Sequence, residues 1–157
     1  MSDTATLATI ELTAPVEARL HLPPRPIRSA GSTALRDACI AAKACDDLRG
    51  RETVVLDLRL ITPLFDFFVI STGSSPRQVR ALADVVEQAV KAAHPAANGQ
   101  SYGPVVEGYE IGDWVVQDYG DVVTHLFQAE KRALYDLEHL WGDAPQIDWQ
   151  QQLTASA

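Results

Sequence analysis

Between the apolar run Phe67-Phe68-Val69-Ile70-Ser71 and a helical pattern opening at Pro76 lies Thr72-Gly73-Ser74-Ser75, a set of residues suited to a tight turn. A turn at a helix N-terminus presents unpaired backbone N–H groups and the positive end of the helix dipole, so Gly73, Ser74 and Ser75 form a candidate anion site. No lysine follows in Walker spacing, and GxGxxG is absent. A nucleotidyl-transfer centre on this turn would also need carboxylates on a neighbouring strand to clamp metal ions. The next acids, Asp84 and Glu87, fall on the helix, and Asp136 and Glu138 fall on another helix, where alternate positions diverge. Capping alone accounts for the turn, with Ser75 as N-cap, Pro76 at the first helical position and Gln78 placed to close a capping box.

His125 with Asp118 and Asp121 suggests a general base oriented by a carboxylate. The nucleophile is missing, because Thr124 alternates to the opposite face and neither cysteine lies in this segment. Cys39 and Cys45 sit six apart on one predicted helix and point about 120° away from each other, which rules out pairing with each other. With His21, His94, His125 and His139 scattered and no CxxC, no zinc ligand set is expected, and no cofactor. Two unpaired thiols suit a reducing cytoplasm.

The formal charge of −8 is concentrated. Residues up to Val106 balance acids against bases, whereas Glu107, Glu110, Asp113, Asp118, Asp121, Glu130, Asp136 and Glu138 face only Lys131 and Arg132. Such a segment repels phosphate backbones and is steered toward basic surfaces, or serves merely as a solvated face. Trp114, Tyr119, His125, Tyr135 and Trp141 lie in or beside it, and aromatics among charges are the composition of a binding hot spot.

These groups must be carried by regular elements. Leu35, Ala38, Ala42 and Cys45 recur at helical spacing from a cap at Ser32 or Thr33 to about Leu48, with Gly50 beyond. Thr53 to Leu60 reads as a central strand stopped by Pro63, and Phe67 to Ser71 as a second. The helix after Ser75 shows Val79, Leu82, Val86, Ala89 and Ala93 at core spacing and ends before Pro95. A short apolar stretch at Val105-Val106 precedes two strands, Trp114 to Asp118 and Val122 to Phe127, close enough to require an antiparallel hairpin. A two-residue loop of Tyr119 and Gly120 sets Asp118 opposite Asp121 and Trp114 opposite His125 on one side of the sheet; a three-residue loop moves the register by one. Glu130 to Trp141 reads as a continuous helix burying Leu134, Leu137 and Trp141 and exposing Tyr135, Glu138 and His139. The expected fold is therefore α/β, a mixed sheet of about five strands flanked by helices.

Residues 1–32, with Pro15, Pro23, Pro24 and Pro26 and no sustained periodicity, read as a poorly ordered extension without a signal or transit pattern. Residues 33–142 are the folded domain, and residues 143–157 read as a tail with little to hold it. No apolar run approaches the roughly 20 residues that cross a bilayer.

Asp57-Leu58, Asp66-Phe67-Phe68-Val69-Ile70, Thr72 to Ser75, Gln78-Val79, Glu107-Gly108, Trp114 to Asp118, Gly120-Asp121, His125-Leu126-Phe127, Arg132, Tyr135, Leu137-Glu138 and Leu140-Trp141, in that order, resemble the Iojap-like ribosomal silencing factors. The resemblance spans residues 33–142. It implies a nucleotidyltransferase-like fold without catalytic carboxylates. It further implies binding to the large ribosomal subunit through the basic ribosomal protein L-fourteen, blocking subunit joining by occlusion rather than catalysis. On that basis Trp114, Asp118, Gly120, Asp121, His125, Tyr135 and Glu138 are the expected partner-binding residues, with no direct nucleic-acid contact as the main one. The rival is a small nucleotide-binding enzyme using Gly73 to Ser75 and His125. A homodimer built on the same hairpin is compatible with ribosome binding only if it opens.

Overall fold

The computed structural model describes residues 33–96 and 102–156; residues 1–32, and with them the expected extension, lie outside the described residues. Its elements are α1 (Thr33–Asp47), β1 (Arg51–Asp57), β2 (Phe67–Gly73), α2 (Pro76–Ala92), β3 (Val105–Glu107), β4 (Trp114–Asp118), β5 (Val122–Gln128), α3 (Ala129–Tyr135), α4 (Leu137–Leu140), β6 (Gln146–Ile147) and α5 (Trp149–Ala155). The strands form one six-stranded sheet in the order β3-β4-β5-β2-β1-β6. Among the described residues only β2 and β5 pair in parallel, Phe67 opposite Val122 through Gly73 opposite Gln128. The other neighbours are antiparallel. This is the mixed α/β sheet that the sequence leads one to expect, with one strand more.

The continuous apolar character of β2 follows from its place between β1 and β5, where every residue is buried. One sheet face packs Val55, Phe67, Val69, Val115 and Leu126 against the apolar stripes of α1 and α2. The other packs Leu56, Phe68, Ile70, Val116, Val123 and Phe127 under Leu64, Phe65, Leu137 and Trp141. Cys39 and Cys45 belong to the first core, and burial pushes their thiols up to about 11 and about 12.

Three expectations need correction. β1 ends at Asp57 rather than Leu60, because the Asp57 carboxylate accepts from the Arg59 N–H at 3.0 Å and binds its guanidinium, turning the chain out of the ladder. The last helix breaks at Asp136, which adopts φ 45°, ψ 55°, left-handed values that Asp tolerates better than most residues. The break leaves Leu134 68% exposed instead of buried and half-buries Tyr135 and Glu138, while Leu137 and Trp141 pack against the core as expected.

The third concerns the end of the chain, which is folded rather than loose. Ile147 pairs with Val55, and the Asp57 N–H donates to the Pro145 carbonyl at 2.9 Å. Asp148 caps α5 by accepting from the Gln151 N–H at 3.0 Å, and Trp149, only 9% exposed, packs into the core shared with α1.

Candidate functional site

The Gly73 turn forms where expected. A Cβ at Gly73 would lie 2.8 Å from Val79 Cγ2, so glycine is what lets α2 close onto β2. Ser75 Oγ accepts from the Gln78 N–H at 3.1 Å. The Gln78 side-chain oxygen, however, accepts from the N–H and hydroxyl of Ser74, both at 2.6 Å, one residue earlier than a capping box would place it. Its amide nitrogen donates onward to the Leu48 carbonyl at 3.2 Å, tying α2 to the α1–β1 connection. Two donors that could have faced an anion, the N–H and hydroxyl of Ser74, are thus already engaged by Gln78. Among the described residues no three His, Cys, Asp or Glu side chains gather into a metal-binding set, and no helix is long and apolar enough to cross a membrane.

The hairpin register differs from both loops considered above. Tyr119 N–H donates to Val122 O at 2.9 Å, so the two turn residues are Gly120 and Asp121, and Gly120 supplies the required φ of +94°. Trp114 pairs with Phe127, Val116 with His125 and Asp118 with Val123. The shift from the expected pairing is two residues, and because side chains alternate with period two, Trp114 and His125 keep the same face. They are diagonal neighbours. Asp118 does not face Asp121.

His125 is 5% exposed, and Trp114 Nε1–H donates to its Nδ1 at 3.2 Å. An indole nitrogen can only donate, so Nδ1 carries no proton and the proton of the neutral ring sits on Nε2. Burial drives the imidazole down to about 3. Its Nε2 is buried without a hydrogen-bond partner among the described residues. The Phe68 ring meets His125 edge-on at 4.6 Å. His125 is therefore a support beneath Trp114 rather than a surface group or a base poised near neutral pH. Trp114, half-buried, stacks on Phe127 at 4.8 Å and meets Tyr135 at 4.5 Å. Of the aromatic residues named from sequence, Trp114, His125 and Tyr135 meet here, with Lys131 Nζ 6.0 Å from the Tyr135 ring centre, whereas Tyr119 packs against the core on the other sheet face, stacked with Tyr102.

The two bases of the acidic segment are both engaged within it. Lys131 lies 3.5 Å from Asp113, and Arg132, 8% exposed, donates from Nε to Glu138 at 2.8 Å. Arg132 Nη1 also donates to Thr72 Oγ1 at 2.8 Å and Nη2 to the Glu52 carbonyl at 2.8 Å, fastening the last helices to β1 and β2. Glu138 thus has a structural partner. Arg132 was missed as a site residue because a lone arginine on an amphipathic pattern reads as solvated. The Glu52 carbonyl is turned toward it by a left-handed residue, φ 50°, which a sequence reading does not reveal.

Asp118, Gly120 and Asp121 are half-exposed at the far end of the hairpin. Asp118 Oδ1 accepts from the Gly120 N–H at 2.7 Å, and the Asp121 carbonyl accepts from the N–H groups of Asp66 at 2.8 Å and Phe67 at 3.1 Å. At about 3.4 Å per residue, four residues put Asp118 about 14 Å along β4 from Trp114. The expected site is therefore an aromatic patch at one end of the hairpin and an acidic turn at the other.

Comparison with known proteins gives this geometry its context. Residues 32–157 match the family model RsfS, described as ribosomal silencing factor during starvation. The chain is 42% identical over 110 residues to the ribosomal silencing factor RsfS of Bacillus subtilis strain 168, covering 69% of this chain and 87% of the relative. It is 31% identical over 108 residues to the chloroplastic protein Iojap of Arabidopsis thaliana, covering 68% of this chain and 42% of that protein. A crystal structure of a Chromobacterium violaceum protein superposes with a TM-score of 0.63 at 36% identity, covering 71% of this chain and 88% of that one. By sequence and by fold, the chain belongs to the RsfS family of ribosomal silencing factors.

Proposed function

We propose that this chain represses translation in the cytoplasm without catalysing a reaction, by docking its β4–β5 hairpin and α3 on the large ribosomal subunit and obstructing the small one. The partner proposed is a basic protein of the intersubunit face, ribosomal protein L-fourteen, as the family resemblance implies. The observation that carries this reading is the half-exposed Trp114–Tyr135 pair lying in a segment whose bases, Lys131 and Arg132, are both engaged by Asp113 and Glu138. The excess of acids over bases in residues 107–138 gives this surface a field that attracts cations and repels phosphate. In this reading Trp114, Tyr135, Asp118, Gly120 and Asp121 meet the partner, while His125 and Glu138 hold the surface in shape. A body parked there blocks joining by its volume.

The test is cosedimentation of the purified chain with separated ribosomal subunits, together with the rate of subunit joining. Trp114→Ala should weaken binding to large subunits by about 2 to 4 kcal/mol, the usual cost of truncating a central aromatic. Reversing Asp118 and Asp121 to Lys should mainly slow association, and more so at low salt. Sedimentation unchanged in all of these variants would reject the surface.

A further inference from the structure

Arg36, Lys43, Arg59, Lys91, Lys131 and Arg132 each lie against a carboxylate, at 3.7 Å or closer. Arg49, Arg51, Arg77 and Arg80 have no carboxylate partner among the described residues, and the fold gathers them around the start of α2. Gln78, next to Arg77 in the first turn of α2, donates through Nε2 to the carbonyls of Leu48 at 3.2 Å and Arg49 at 3.5 Å. Arg51 opens β1 opposite Thr72, the residue before Gly73. Arg80 is half-buried and donates from Nη1 to the Glu110 carbonyl at 3.2 Å, whereas Arg49, Arg51 and Arg77 are exposed. Of the acids adjacent to them in sequence, Asp47 is held by Lys43 at 2.6 Å, which leaves Asp46 and Glu52 against three arginines. In a chain of net charge −8 this corner is a local exception.

The corner shares a row of the sheet with the aromatic patch. Trp114 pairs with Phe127, Phe127 with Thr72 and Thr72 with Arg51. Arg51 therefore stands three strand spacings, about 14 Å, from Trp114 at the same end of the sheet. A ribosomal subunit is far wider than that span, so one docked at Trp114 comes alongside the arginines. The span also exceeds the roughly 8 Å over which exposed charges act at physiological salt. The acids of the hairpin thus leave the arginines their own field.

Arginine carries a permanent charge on a planar fork that meets phosphate oxygens two at a time. A lone phosphate gains little at this corner, because the Ser74 donors are taken by Gln78 and the arginines are solvated. A nucleic-acid strand brings several phosphates to several arginines at once and releases its condensed counterions. We propose that Arg49, Arg51 and Arg77 hold the phosphate backbone of ribosomal RNA beside the protein contact, as a second, electrostatic grip on the large subunit. This rests on the reading above and adds an RNA contact to the protein one.

The test measures the affinity of the full chain for purified large ribosomal subunits between about 50 and 200 mM salt. The triple variant Arg49→Gln, Arg51→Gln, Arg77→Gln should flatten the slope of log affinity against log salt by about two to three, near one per arginine. It should keep the parent's urea midpoint, and it should bind RNA-free ribosomal protein L-fourteen as the parent does. Trp114→Ala should lower the affinity and leave the slope unchanged. If the triple variant matches the parent in affinity and slope while Trp114→Ala weakens binding, only this inference fails. If neither variant weakens binding, the hairpin reading fails with it. A flattened slope in the triple variant with Trp114→Ala binding like the parent upholds the arginine contact and rejects the aromatic one. A triple variant weakened equally toward RNA-free L-fourteen would put an acidic protein surface against the arginines and overturn the RNA assignment.

Discussion

Trp114 Nε1 donates to His125 Nδ1 across 3.2 Å, joining diagonal positions of β4 and β5 and fixing a half-exposed indole on a buried, neutral imidazole. The indole is held from below by His125 and from the side by Phe127 and Tyr135, so the orientation of the aromatic patch is set before any partner arrives. A surface ordered in advance loses less side-chain freedom on binding.

Protonation of His125 opposes this arrangement. Its folded value of about 3 lies below the unfolded 6.5, so between those pH values the unfolded chain binds a proton that the folded chain does not. The stability held above pH 6.5 is lost as pH falls through this window, at about 1.4 kcal/mol per pH unit from this group. Urea unfolding at pH 7, 6 and 5 should show the decline, and His125→Phe should flatten it while shifting the midpoint down at pH 7 through the stranded Trp114 N–H. An equally steep decline in His125→Phe would place the effect in another group.

Arg132→Met removes a buried cation that serves Glu138, Thr72 and the Glu52 carbonyl together. Leaving those acceptors without their donor should cost about 3 to 5 kcal/mol, read as a lower urea midpoint. Arg132→Lys should recover little of it, since one ammonium cannot reproduce the guanidinium fork.

The Gly73–Ser75 turn should behave as a cap. Ser75→Ala is expected to cost about 1 kcal/mol, and Gln78→Ala should destabilise further by releasing both the Ser74 donors and the Leu48 carbonyl. Millimolar phosphate should leave the melting temperature of the parent chain unchanged. A phosphate-dependent rise that disappears in Ser74→Ala would restore the anion site.

Trp149→Ala empties a core position between α1 and β1, where the indole also donates to the Thr53 carbonyl at 3.4 Å. Core aromatic truncations cost about 3 to 5 kcal/mol, so thermal unfolding should shift down markedly. A neutral result would return residues 143–157 to the status of a tail.

The sequence by itself determined α1, β2, the Ser75-capped α2 and the existence of the hairpin, because each is written in local code: periodicity, a cap and its proline, and two β-rich runs too close to be joined any other way. It also brought Trp114, His125 and Tyr135 to one place, since a two-residue slip in register preserves the face. Tertiary structure decided what depends on a distant partner. The turn became Gly120-Asp121 because the Asp121 carbonyl is wanted by Asp66 and Phe67 at the start of β2. The last helix broke at Asp136, bringing Glu138 onto an arginine buried against β1 and β2. A weak signal for the C-terminal pairing, Asp148 capping Trp149 and Leu153 at helical spacing, was present in the sequence, but only the open edge of β1 gave β6 a strand to join. Local propensity acts over a few residues, whereas burial and backbone pairing are settled by whatever the rest of the chain brings alongside.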